Sequence, residues 1–319
     1  MSMLEKIKSL GIVPVVKIDD AEKAVPLAEA LCRGGLPCAE ITFRTEQAEE
    51  AIKRISNAMP DMLVGAGTVL TPAQADKARA AGAKFIVSPG LNPTVVEHCL
   101  NKNIPVFPGC SSPSDIEKAL ELGLNCVKFF PAEQAGGIAA IKAMAAPYGN
   151  LSFLPTGGIN EKNLNDYLSF DRVIACGGSW MVDANLIAAG NFTAIEDMTR
   201  AAIHTMLGFE LAHIGVNNSD ENEAGKTAKS FSDIFGFAYK PGNSSIFAGG
   251  YIEAMKEPFL GLHGHIAIRT NYISRAVNFL ESNGVKLKNG TEKYNDKGKL
   301  AAVYLENEIG GFAVHLVQK

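Results

Sequence analysis

Neither sign of charge dominates this sequence: 30 Lys and Arg against 34 Asp and Glu leave a net charge of −4 over 319 residues. Without a broad basic field to gather phosphate backbone, nucleic acid is not an expected partner. No block of like charge and no low-complexity tract interrupts the chain. The first ten residues, Met1 to Leu10, are too charged and too poor in apolar content for a signal peptide or a membrane span, and read as a short amphipathic helix. No membrane role is expected either. The six cysteines (Cys32, Cys38, Cys99, Cys110, Cys126, Cys176) show no CxxC or other metal-ligand spacing, and none follows residue 180. Reduced thiols, and hence a cytoplasmic location, are the expectation.

What is present, from Ile12 to Trp180, is a repeated alternation of short β-branched runs with Ala-, Glu- and Lys-rich segments of helical spacing. The runs are Ile12 to Ile18, Cys38 to Phe43, Leu63 to Val69, Phe85 to Pro89, Pro105 to Pro108, Cys126 to Phe130, Leu151 to Pro155 and Arg172 to Cys176. Eight strand-helix units predict an α/β fold whose parallel sheet closes into a (β/α)8 TIM barrel. An open doubly wound sheet is the alternative, but no GxGxxG follows the first strand to support it. Composition changes near residue 208, after which there is no cysteine but there are four of the six histidines. A barrel over residues 1–207 and a smaller α+β domain over residues 208–319 are therefore expected.

Lys128 stands alone as a cation in Cys126-Val127-Lys128-Phe129-Phe130-Pro131. Among apolar neighbours an ammonium loses hydration, which favours the neutral amine that attacks carbonyls. A strand-end lysine whose stem packs while its head reaches water is the plainer interpretation of this run by itself. Glu40, Thr42 and Arg44 alternate with apolar Ile41 and Phe43, so the second strand has one polar face. Thr68 closes the third strand in Gly65-Ala66-Gly67-Thr68-Val69. The last two strands run into Pro155-Thr156-Gly157-Gly158-Ile159 and Cys176-Gly177-Gly178-Ser179-Trp180. Paired glycines past those strand ends expose backbone N–H groups that can nest a phosphate.

Together, Glu40 to Thr45, Gly65 to Val69, Val127 to Glu133, Pro155 to Ile159 and Gly177 to Trp180 closely resemble the 2-keto-3-deoxy-6-phosphogluconate (KDPG) aldolases, also called 4-hydroxy-2-oxoglutarate (KHG) aldolases. The resemblance spans about residues 1 to 205 and departs at Phe43, where Leu is more usual. It implies a metal-free class I aldolase that assembles as a homotrimer and acts on small 2-oxo acids. In it Lys128 forms the imine and Glu40 is the general acid/base. Arg44, Thr68 and Phe130 surround the pyruvate portion, Thr156 and Gly157 belong to the substrate site, and Gly158, Gly177, Gly178 and Ser179 hold the distal phosphate. An aldolase for the galactonate epimer is one alternative. A non-catalytic oxo-acid binding or sensing protein is another, against which the joint presence of Lys128, Glu40 and Arg44 speaks.

After residue 208, Ala212 to Val216 and Gly264 to Ile268 are similar strands with histidines, His213 and His265, in matching places. Each precedes a helical stretch and further short strands, an internal duplication of a βαβββ module. The pattern resembles the glyoxalase, or vicinal oxygen chelate, superfamily, in which first and last strands of each module supply metal ligands. Glu253 and His315 are then the remaining candidates, and the donor set suits Zn, Mn, Fe or Ni. Counted from the two Gly-Gly pairs, however, Glu253 stands three residues on and His315 four. A one-residue difference in register predicts that the two side chains point to opposite faces, which favours packed, metal-free histidines.

Overall fold

Contacts in the computed structural model, which describes all 319 residues, divide the chain into two units, Met1–Met206 and Leu207–Lys319. In the first, the β-branched runs become β1 (Ile12–Val16), β2 (Cys38–Thr42), β3 (Leu63–Gly67), β4 (Phe85–Val87), β5 (Val106–Phe107), β6 (Gly109–Cys110), β7 (Cys126–Phe129), β8 (Ser152–Pro155) and β9 (Cys176–Gly178). All pairing is parallel, in the orders β5-β4-β3-β2-β1-β9 and β6-β7-β8. The fifth strand outlasts its expected run, Pro105 to Pro108: Pro108, which has no N–H to give a ladder, separates β5 from β6. A bridge between Thr156 and Gly177 joins β8 to β9, so the sheet curls back on itself as a barrel.

The eighth run differs from expectation. Arg172–Cys176 is not the strand: Val173 touches Phe153 through a single bridge, and the ladder with β1 runs from Cys176 to Gly178. Gly177 and Gly178 therefore lie within β9 rather than beyond it.

Alternation places Cys38 and Glu40 on one face of β2, and Cys126 and Lys128 on one face of β7. The amino-terminal members of these columns join Val13, Leu63, Phe85, Phe107 and Leu154 in an apolar core, against which the helix Met3–Leu10 packs Ile7, Leu4 and Leu10. That helix is started by a reciprocal Ser2–Glu5 capping box. One end of the barrel is thus filled with apolar side chains, and its polar residues gather toward the carboxyl ends of the strands.

In the second unit, β10 (Glu210–Asn217), a helix (Glu221–Phe235), β11 (Tyr239–Pro241), β12 (Ser245–Ala248) and β13 (Ile252–Met255) are followed by β14 (Gly264–Thr270), a helix (Ile273–Ser282), β15 (Lys293–Tyr294), β16 (Leu300–Tyr304) and β17 (Ala313–Gln318). They form one sheet in the order β11-β12-β13-β10-β14-β17-β16-β15, symmetric about the antiparallel β10–β14 pair. Ala224 and Ala228 of the first helix bury Ile246, Ala248 and Ala254 on one face. Residues of opposite parity, His213, Glu253 and His265 among them, fall on the other. No helix is long and apolar enough to cross a membrane.

Candidate active site and candidate metal centre

Lys128, in β7, and Glu40, in β2, meet inside the barrel: Nζ lies 3.6 Å from Oε1, with side chains 6% and 1% exposed. Lys128 Nζ also sits 5.1 Å from the centre of the Phe130 ring. Both oxygens of Glu40 are buried and accept no hydrogen bond. A carboxylate so placed is costly to keep unless a ligand completes its partners. Room for it comes from β3, since a Cβ on Gly67 would stand 2.0 Å from Glu40 Oε1. Gly67→Ala should displace the carboxylate and lower turnover on the order of a hundredfold, the scale of one general acid/base. Steady-state kinetics with circular dichroism as a folding control measures this; unchanged turnover would show that Glu40 tolerates another position.

Thr42 is buried, but its hydroxyl donates to the Val16 carbonyl at 2.9 Å and so braces the barrel wall. Beyond the end of β2, the exposed Arg44 donates from Nε to Thr68 Oγ1 at 3.4 Å. Thr68 has φ 56°, a left-handed backbone that strains a β-branched residue and recurs at functional sites. Gly157 and Gly158 have φ of 106° and 78°, where only glycine is comfortable. The N–H groups of Gly158, Ile159 and Ser179 donate to no acceptor in the protein. Free N–H groups on the loops after β8 and β9 are chemically able to receive an anion. Thr156 Oγ1 beneath them is buried without a hydrogen bond, 2.3 Å from where a Cβ on Gly177 would stand.

In the second unit His213, His265 and Glu253 converge tightly. Glu253 Oε2 lies 3.0 Å from His213 Nε2 and 3.1 Å from His265 Nε2, which are 3.2 Å from each other. One ligating atom from each of His213, His265 and His315 falls within 4.8 Å of the others. The opposite-face expectation for Glu253 and His315 is therefore wrong. Pairing, not distance from a Gly-Gly turn, sets the register: Glu253 sits opposite Gly215 and His315 opposite Ala267, each two residues after the module's first histidine. The extra residue after Gly311 is taken up before β17 begins pairing.

His265 lies over Gly215, where a Cβ would be 2.0 Å from its ring. Burial together with His265 and His213 pushes His315 down to about 3, against the pull of Glu253, so it is a neutral imidazole at pH 7. Burial raises the Glu253 carboxyl, but hydrogen bonds with His213, His265 and Ser245 outweigh it and hold the group well below the usual carboxylate range. Both nitrogens of His315 and Nδ1 of His265 are buried without a partner. Tyr304, which no sequence pattern singles out, stacks on His315 with ring centres 4.5 Å apart. His263 stays outside, against Phe312.

A parallel barrel with a buried amine and carboxylate at its polar end has the construction of a carbonyl-directed lyase. Comparison with known proteins makes this specific: the family model for KDPG and KHG aldolase matches residues 3–198, and the chain belongs to that family. It is an aldolase. It is 50% identical to the 2-dehydro-3-deoxy-phosphogluconate aldolase of Treponema pallidum over 64% of this chain and 97% of the relative. With the KHG/KDPG aldolase of Escherichia coli K12 identity is 42%, over 62% of this chain and 94% of the relative. Among solved structures, the Legionella pneumophila KDPG aldolase, with pyruvate captured as a covalent carbinolamine, superposes with TM-score 0.61 at 40% identity, covering 63% of this chain and 98% of that one. The Zymomonas mobilis enzyme with 3-phosphoglycerate gives 0.59 at 39%, covering 63% and 94%.

Proposed function

We propose that the first unit cleaves KDPG to pyruvate and glyceraldehyde 3-phosphate through an imine on Lys128, and KHG to pyruvate and glyoxylate by the same steps. The observation that carries this is the buried amine 3.6 Å from a buried, otherwise unpartnered carboxylate. Lys128 passes a proton to Glu40 and adds to the C2 carbonyl as the amine; Glu40 returns that proton to the departing hydroxyl, so the carbinolamine loses water and leaves an iminium beside the carboxylate. Glu40 removes the C4 hydroxyl proton, the C3–C4 electron pair flows into the iminium, and the aldehyde departs from an enamine. Protonation of C3 by Glu40 and addition of water then release pyruvate and regenerate the amine.

Arg44, with Nε turned to Thr68, keeps its terminal nitrogens for the substrate carboxylate. Phe130 covers the amine, and the N–H groups of Gly158, Ile159 and Ser179 receive the distal phosphate over Thr156, Gly157, Gly177 and Gly178. The active assembly is a homotrimer, which sedimentation would measure. Cleavage rates on KDPG, KHG and the galactonate epimer test the reading. The highest kcat/KM should belong to KDPG; a preference for the epimer replaces the substrate, and a folded protein inert on all three is an oxo-acid binding protein.

For the second unit we infer a glyoxalase-like domain of two βαβββ modules with a divalent metal held by His213, Glu253, His265 and His315. Bonds of about 2.0–2.1 Å to N and O donors place neighbouring ligand atoms roughly 2.9–3.4 Å apart, and the His213–His265–Glu253 triangle already has that size. Three imidazoles and one carboxylate suit Zn, Mn, Fe or Ni. Such an ion would supply Lewis acidity, while Tyr304 braces His315 by stacking.

A further inference from the structure

Next to the anion-binding loop lies a carboxylate that the cleavage chemistry does not use. Glu133 follows Ala132 out of β7, and its N–H donates to the Gly157 carbonyl at 3.1 Å. Its Cβ and Cγ occupy the space beside Gly158, where a Cβ would stand 2.7 and 2.6 Å away. Its Oε1 accepts a hydrogen bond from the hydroxyl of Tyr167, 1% exposed, on the helix Leu164–Leu168 that follows this loop. Burial first, then the hydrogen bond and the charge of Glu133, push the Tyr167 phenol well up, so it remains a donor. From the other side, Asn163 and Asn160 donate side-chain amides to the Gly158 carbonyl at 3.2 and 3.3 Å.

With that carbonyl turned outward, the Ile159 N–H of the same peptide points the opposite way. The free N–H groups of Gly158 and Ile159 are then within a side chain's length of an anion belonging to the protein itself. A carboxylate released beside such a nest would compete with any incoming phosphate.

We propose that Tyr167 is a positioning residue that tethers Glu133 away from the Gly158–Ile159 N–H groups, so that the loop stays open to the phosphate of the substrate and is not closed by an internal anion. Asn163 holds the peptide in the receptive orientation. The proposal rests on the anion-site reading above and extends it to a determinant of preference for phosphorylated over unphosphorylated substrate.

Tyr167→Phe keeps the ring and removes the tether. KM for KDPG should rise on the order of tenfold, the scale of a lost hydrogen bond to a charged group, with kcat within about twofold. KM for KHG, which has no phosphate, should stay within about twofold. Trp180 is the single tryptophan, and its ring packs on Gly178 beside the site. Its emission, titrated with inorganic phosphate, should show the midpoint moving by the same factor. Adding Glu133→Gln to Tyr167→Phe removes the competing charge and should restore both values, which loss of packing alone would not do. Glu133→Gln by itself keeps an acceptor for Tyr167 and should leave KM for KDPG within about twofold; a tenfold rise there overturns the proposal should Tyr167→Phe fold poorly. Equal KM changes for both substrates, or no restoration in the double variant, also overturn it. Wild-type emission that ignores phosphate removes the anion-site reading itself, a distinguishable result.

Discussion

Lys128→Ala should lose on the order of 10⁴-fold or more in cleavage rate, and with it the covalent capture of pyruvate by borohydride that a lysine imine permits. Glu40→Gln should behave differently. Its amide neither takes the C4 hydroxyl proton nor returns one to C3, so turnover falls by about 10²- to 10⁴-fold, yet the amine is intact and pyruvate is still trapped. Mass spectrometry of the reduced proteins separates the roles: an adduct on Glu40→Gln and none on Lys128→Ala. An undiminished adduct on Lys128→Ala would place the nucleophile elsewhere.

The two variants should also differ in stability. Removing the lysine strands a carboxylate that is 1% exposed and accepts no hydrogen bond, at a cost of about 3–5 kcal/mol if it stays ionised. Glu40→Gln leaves an ammonium beside the Phe130 face, a milder loss. Thermal melts of both variants, beside Lys128→Ala/Glu40→Gln, resolve the pair. The double variant should recover part of what Lys128→Ala loses.

Much of this site was legible because strand periodicity is local. A lone cation in an apolar run and three polar residues at every second position identify Lys128, Glu40, Thr42 and Arg44 before any fold is known. Sequence could not say that Thr42 spends its hydroxyl on the β1 carbonyl, or that Gly67 is small for the sake of Glu40, because both depend on which strands become neighbours. Tyr167 and Glu133 are 34 residues apart and meet only when the helix Leu164–Leu168 packs beside the turn that follows β7. The Gly177–Gly178 position was misjudged for a different reason: Arg172 to Cys176 has strand composition, but β1 pairs with the small residues after it.

The second unit shows how a turn can mislead where a ladder does not. Turn lengths vary freely between duplicated modules, whereas the face of a residue is fixed by its cross-strand partner, and the Gly215–Glu253 and Ala267–His315 pairs agree. The largest expected gain in stability follows from that agreement. A full-length chain stripped with EDTA and given Zn²⁺ should bind one equivalent by elemental analysis after dialysis. At a free metal concentration a hundredfold above Kd the second unit gains about 2.7 kcal/mol, which for a domain of this size raises its Tm by roughly 10–20 °C. His265→Ala should abolish the gain. Gly215→Ala tests the same centre without deleting a ligand, since its Cβ would stand 2.0 Å from the His265 ring and must displace it. Neither substitution should alter KDPG cleavage, since the groups proposed for it all lie in the first unit. Retention of no metal, with a Tm indifferent to Zn²⁺, Mn²⁺, Fe²⁺ and Ni²⁺, would leave the cluster as a hydrogen-bonded network in which Glu253 accepts from two histidines and His315 is held by Tyr304 alone.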